Sequence, residues 1–83
     1  MSYLDNKILW QCRRGLKEID IILVTFAKKG LSSLNNKEKK ILVELLDLED
    51  TVLLSWLVYQ QKPRNKYKEI IEKILSCYKG KNG

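Results

Sequence analysis

Apolar residues recur at helical spacing in two segments near the start of the chain. The first segment has them four residues apart, at Leu4, Ile8 and Cys12. This spacing predicts a short amphipathic helix that ends near residues 13–15. The second segment has its apolar stripe at Leu16, Ile19, Leu23 and Phe26. Because two lysines and then Gly30 follow, we expect a second helix of about 14 residues that ends there.

Three further segments repeat the helical period. Turn and N-cap residues at positions 33–36 introduce the third, whose apolar positions are Ile41, Leu42, Leu45, Leu46 and Leu48. The fourth begins at Glu49 or Asp50, and we expect Pro63 to stop it after Lys62. The fifth has one apolar face, formed by Tyr67, Ile70, Ile71, Ile74, Leu75 and Tyr78. No stretch alternates strictly between apolar and polar residues, so strands are not predicted.

Five predicted helices with short connections favour an all-α fold, a compact five-helix bundle. The 83 residues are enough for one small domain with its own core. We assign residues 1–78 to a single helical domain and residues 79–83 to a basic, flexible C-terminal tail. Trp10 and Trp56 fall within the helical segments. Either could anchor a partner, but aromatic residues at helical spacing more often belong to the core, and we expect both side chains there.

Composition is that of a folded globular protein, since 45% of the residues are apolar and 31% are charged. The net charge of +6 is uneven. Residues 1–61 have nine basic and eight acidic residues, whereas residues 62–83 have seven and two. This basic end is either a solvated face that keeps the protein soluble, or the binding surface of a small nucleic-acid-binding or antitoxin-like regulator. Its basic residues are not arranged along an element that could enter a nucleic-acid groove, which favours the solvated face.

The side chains that enzymes and metal sites use most often are scarce in this sequence. Histidine is absent, and Cys12 and Cys77 are too far apart for a CxxC pair. We therefore predict no catalytic residues, no metal ligands and two ordinary buried or half-buried thiols. No GxGxxG motif follows a predicted strand, so we expect no cofactor-binding residues. The chain is predicted not to be an enzyme.

Targeting signals are not evident. The N-terminal segment MSYLDNKILW has neither the apolar core of a secretory signal nor the arginines of a transit peptide. The longest apolar run, residues 19–27, contains Asp20 and is far shorter than the roughly 20 residues that span a bilayer. We expect a cytoplasmic protein without membrane insertion.

A charged cluster surrounds a glycine in the run CRRGLKEID, residues 12–20. If Arg14 and Glu18 are both helical, their spacing places them on one helix face, which Arg13 and Asp20 border. In one interpretation Gly15 ends the first helix, and the charges form an exposed pair worth about 0.3–0.5 kcal/mol. In the other, the missing Cβ lets another protein's backbone come close while Arg14 offers it hydrogen-bond donors. The second interpretation makes the cluster a docking surface.

The same run resembles a known family. Residues 9–20, LWQCRRGLKEID, contain an Arg-Gly-x-x-Glu signature and are similar to the succinate dehydrogenase assembly factors, the small SdhE-type bacterial and mitochondrial flavinylation factors. The similarity extends over residues 7–63 and includes Phe26, Glu38-Lys39-Lys40, Asp50, Leu54-Ser55-Trp56-Leu57 and Lys62-Pro63. The family often has proline where this chain has Thr25 and glycine where it has Gln61. We expect both differences to fall at helix ends or loops.

The resemblance implies a five-helix monomer that binds the flavoprotein subunit of succinate dehydrogenase, and in some bacteria of fumarate reductase. Such a factor promotes covalent attachment of FAD that the partner holds, and has no cofactor of its own. Carried onto this sequence, the partner-binding residues are Arg14, Gly15 and Glu18, with Arg13 and Asp20 as neighbours. Under this interpretation no nucleic acid is expected as a partner.

Overall fold

The helices begin close to the positions that the apolar pattern predicts, and most of them also end there. A computed structural model describes residues 3–80. Within that range the elements are α1 (Tyr3–Gln11), α2 (Lys17–Lys29), a single 3₁₀ turn (Leu31–Ser33), α3 (Asn36–Leu46), α4 (Asp50–Leu57) and α5 (Asn65–Gly80). None of the described residues forms a strand, and the predicted five-helix, all-α fold is confirmed.

The N-terminus of α3 shows why the predicted turn residues stand where they do. The Asn35 side chain accepts a hydrogen bond from the Glu38 amide at 2.8 Å, and the Glu38 carboxylate accepts one from the Asn35 amide at 3.1 Å. This capping box satisfies two amides that a helix start leaves without an intrahelical partner. The N-cap chemistry predicted for residues 33–36 is therefore confirmed.

Helix α4 is shorter than predicted, because it ends at Leu57 and not at Lys62. Gln60 has a φ of 55°, and this left-handed residue turns the chain out of the helix. The amides of Tyr59 and Gln61 then donate to carbonyls in the last turns of α4, at 3.1 and 2.9 Å. Left-handed residues commonly end helices, but they are usually glycine, so nothing in the sequence marked this end.

The C-terminal helix also departs from the predicted boundary. Helix α5 continues through Lys79 and Gly80, two residues into the segment that we assigned to a tail. The rest of that predicted tail, residues 81–83, lies outside the described residues.

The helices enclose one apolar core to which all five contribute. Helix α2 packs against α5 and α4, α1 packs against α3, and α3 packs against α5. The most deeply buried side chains include Ile8, Ile19, Leu23, Phe26, Leu42, Leu45, Leu46, Leu53, Leu57 and Ile74. Each stabilises the fold by about 1.5–3 kcal/mol through burial. The stripes predicted for α2, α3 and α5 supply much of this core, although Leu16, at the start of the α2 stripe, is exposed.

The two tryptophans have opposite environments. Trp56 is buried as predicted, with its ring centroid 5.8 Å from that of Tyr67, and the Arg64 guanidinium lies over its face. Trp10 is 82% exposed, so the prediction that it belongs to the core is wrong. It stands two residues from the buried Ile8, which turns it to the opposite side of α1.

Candidate docking surface

Residues 12–16 connect α1 to α2, and we call this segment the Arg-Gly loop. Gly15 has a φ of +85°, a conformation that side chains with a Cβ rarely adopt. The amides of Arg14 and Gly15 both donate to the Asp20 carboxylate, at 2.8 and 3.2 Å. Asp20 thus holds the loop from the first turn of α2. The backbone conformation of the free protein is therefore enough to explain a glycine at position 15, without a partner.

Arg14 is bound by its own chain. Its Nε donates to the Asp50 carboxylate, and its terminal nitrogens donate to the backbone carbonyls of Leu46, Leu48 and Gln11, at 2.7, 3.0 and 3.3 Å. These four hydrogen bonds use four of the five N–H groups of a guanidinium. The side chain is 17% exposed. Arg14 therefore fastens the Arg-Gly loop to the connection between α3 and α4.

The predicted pairing of Arg14 with Glu18 on one helix face is wrong. Arg14 lies in the loop before α2 begins, and its ion-pair partner is Asp50, 36 positions away in the chain. Glu18 lies in the first turn of α2, where it is exposed, and Arg13 is exposed as well. The five predicted site residues thus lie in or next to one loop, three of them open to solvent and two engaged internally. Asp50 was missed as a partner, although it is among the residues that carry the family resemblance.

An exposed aromatic face adjoins the loop. Trp10 and Arg13 line an open depression of about 380 Å³ together with Gln11, Arg14 and Asp50. Trp10 also borders a second depression, on the outer face of α1, with Tyr3, Asn6 and Lys7. Aromatic side chains that stand out from a small protein are often anchors for a partner. Sequence reasoning missed this face because it placed Trp10 in the core.

The Arg-Gly loop begins with a thiol that is almost fully buried. Cys12 is 2% exposed, and burial raises the pKa of its thiol to about 12, against the opposing effect of Arg14. The thiol is therefore neutral at physiological pH and packs as part of the core. Cys77 is partly buried. The prediction of two ordinary buried or half-buried thiols is confirmed.

Two acidic side chains of α3 bind lysines from the basic end of the chain. Lys66 contacts Glu44 at 2.6 Å, and Lys73 forms an ion pair with Glu38. Part of the positive charge of residues 62–80 is therefore paired with acidic side chains of the same protein. Among residues 3–80 there is no group of three or more side chains suited to a metal ion. In the same range no helix combines the length and apolar character that crossing a membrane requires.

Fold and site together define a small helical protein whose charged loop and exposed aromatic face suit contact with another protein. Residues 6–78 match the family described as flavinator of succinate dehydrogenase, and the chain belongs to this family. It is 44% identical over 71 residues to the FAD assembly factor SdhE of Coxiella burnetii. The aligned residues cover 84% of this chain and 87% of the relative. The corresponding protein of Wigglesworthia glossinidia brevipalpis is 43% identical over 74 residues, covering 86% and 88%. That of Pectobacterium atrosepticum is 38% identical over 64 residues, covering 75% and 73%.

Proposed function

We propose that this chain is an FAD assembly factor, which binds the flavoprotein subunit of succinate dehydrogenase and promotes covalent attachment of FAD to it. The observation that carries this proposal is the family match over residues 6–78, because it spans the Arg-Gly loop and all or most of each helix. The exposed Gly15 and Glu18 supply a surface that a partner can reach. The flavoprotein subunit of fumarate reductase is a second client of the same chemistry. The factor acts as a cytoplasmic monomer.

In this proposal the reacting atoms belong to the flavin and to the flavoprotein, and none belongs to this chain. A bond forms between a flavin methyl carbon and a histidine nitrogen of the flavoprotein. The carbon and the nitrogen each lose a proton. The flavin ring takes up these two protons together with the two electrons that remain once the new bond has formed, and becomes reduced flavin. This chain binds no cofactor and contributes shape and charge. Its exposed groups, Arg13, Glu18 and Trp10, contact the flavoprotein while the flavin, the histidine and a bound dicarboxylate are aligned.

Binding alone can accelerate such a reaction. A factor that binds the aligned conformation of the flavoprotein more tightly than other conformations raises its population by the difference in affinity. A preference of about 3 kcal/mol raises that population roughly a hundredfold relative to the others. One or two charge-assisted hydrogen bonds supply an energy of that order. The exposed charges next to the Arg-Gly loop are sufficient for this purpose.

The test is reconstitution of covalent flavin attachment. Purified apo-flavoprotein subunit is incubated with FAD and succinate, with and without this chain, and covalent flavin is read as fluorescence of the denatured protein band. We expect attachment to be faster with the chain and slower with Glu18→Lys. The matched control is Glu69→Lys, an equal change of charge at an exposed position of α5. An unchanged rate with and without the wild-type chain would contradict the proposal.

A further inference from the structure

We propose that Arg14 is a positioning residue, which Asp50 and the α3–α4 connection lock in place, and that direct contact with the flavoprotein falls to its exposed neighbours. This inference rests on the proposed function and deepens it. It differs from the expectation that the arginine of the signature offers its donors to the partner. It also assigns Asp50, which lies outside the signature, a part in the same surface.

The hydrogen bonds of Arg14 carry the argument. A guanidinium recognises a partner through N–H groups that point outward, yet four of its five are bound within the chain. Two of the acceptors are the carbonyls of Gln11 and Leu46, the last residues of α1 and α3, where helices leave carbonyls unsatisfied. The third is the Leu48 carbonyl in the α3–α4 connection. Releasing Arg14 to a partner would expose those carbonyls again and leave Asp50 without its cation. Contact through Arg14 would therefore cost hydrogen bonds that its neighbour Arg13 does not have to break.

The loop is fixed from two sides. On the α2 side, Asp20 accepts hydrogen bonds from the amides of Arg14 and Gly15. On the α3–α4 side, Asp50 and two carbonyls hold the Arg14 side chain. Although its amide is held in this way, Gly15 is exposed, and apart from its chain neighbours no atom lies within 4 Å of the position that a Cβ would take. The two aspartates thus present Gly15, Arg13 and Glu18 in one arrangement before a partner arrives.

The experiment is a double-mutant cycle on affinity for the purified flavoprotein subunit, measured by calorimetry with variants shown to be folded by circular dichroism. We expect Arg14→Gln and Asp50→Asn each to weaken binding about tenfold, and the double variant to bind about as weakly as either one. Arg13→Gln combined with Asp50→Asn should weaken binding by the product of the two effects, because Arg13 acts independently. Asp50→Glu, which keeps the charge, should restore most of the affinity. The control Lys73→Gln breaks an ion pair at the other end of α3 and should leave affinity unchanged.

Two results of the affinity measurements would overturn the inference. Multiplying losses for Arg14→Gln and Asp50→Asn would show that Arg14 touches the partner directly. Unchanged affinity of the folded variants would show that the ion pair serves stability alone. Failure of the wild-type chain to bind would instead contradict the proposed function. The positioning role then has its own measurement in the free protein, since Asp50→Asn should speed hydrogen exchange of the Gly15 amide about tenfold, and unchanged exchange would refute it.

Discussion

Variants of Gly15 distinguish two reasons for a glycine in the Arg-Gly loop. One is its left-handed backbone conformation, and the other is the open space that a partner can approach. A residue with a Cβ in the left-handed region costs about 1–2 kcal/mol. In the unfolded chain alanine has less freedom than glycine, which offsets about 0.4–1 kcal/mol of that cost. No atom lies within 4 Å of the added Cβ, so no clash adds to it. We expect Gly15→Ala to lower the free energy of unfolding by about 1 kcal/mol, or the melting temperature by about 4–8 °C.

Asparagine at the same position should be less harmful than alanine to stability but more harmful to flavin attachment. It tolerates the left-handed region better than alanine, so Gly15→Asn should be the more stable of the two variants. Its side chain is larger, so it should slow covalent flavin attachment more if the partner's backbone comes close to Gly15. Stability, measured by thermal unfolding, should fall in the order glycine, asparagine, alanine. The rate of flavin attachment should fall in the order glycine, alanine, asparagine.

The control is a glycine that is restricted from inside the molecule. A Cβ on Gly30 would lie 2.6 Å from Cε1 of the buried Phe26 and 2.9 Å from the Cys77 sulfur. Gly30→Ala should therefore destabilise the fold by about 1–3 kcal/mol through overpacking and leave flavin attachment by the folded protein unchanged. If flavin attachment by the Gly15 variants followed their stability, the reasoning that a partner approaches Gly15 would be refuted.

Two further predictions concern the tryptophans and the buried thiol. Trp56→Ala should lower the free energy of unfolding in urea by about 3–5 kcal/mol, whereas Trp10→Ala should change it by less than about 0.5 kcal/mol and weaken flavoprotein binding; equal losses of stability would contradict the assigned environments. The Cys12 thiol ionises at about 12 in the folded chain against an ordinary value of 9.0, so it stabilises the fold below about pH 9 and loses that contribution as the pH rises to about 12. The free energy of unfolding in urea should fall more steeply with pH across this range for the wild type than for Cys12→Ala. Parallel curves for the two proteins would show that folding does not protect the thiol from ionisation.

Local signals in the sequence were sufficient for most of the fold. Helix α2 begins one residue from its predicted start and ends at Lys29, because the basic residues and Gly30 mark that end. Helix α3 begins after Asn35, where the capping residues predict it. These features depend on residues a few positions apart, whose effects on the backbone are the same in most proteins. The end of α4 at Leu57 escaped because a left-handed glutamine has no such signature.

The candidate site was located by its motif but not explained by it. The pairing of Arg14 with Asp50 depends on how the Arg-Gly loop and the α3–α4 connection approach each other, and spacing along the chain does not show that approach. The motif instead favoured the nearer acid, Glu18. Trp10 is a different kind of miss, because the period of α1 already turns it away from Ile8. Applying the helical period to the tryptophan would have predicted an exposed aromatic face beside the loop.

Fastening the Arg-Gly loop internally has a consequence for what so small a protein can do. Ordering a flexible segment on binding costs about 1–2 kcal/mol per residue, so a free loop of residues 13–16 would cost several kcal/mol. That loss is larger than the preference of about 3 kcal/mol that shifts a partner's conformations a hundredfold. Because Asp20 and Asp50 have already ordered the loop, the contacts of its exposed groups can act on the partner's conformation. An arginine bound by its own chain is therefore compatible with a docking surface and makes that surface more effective.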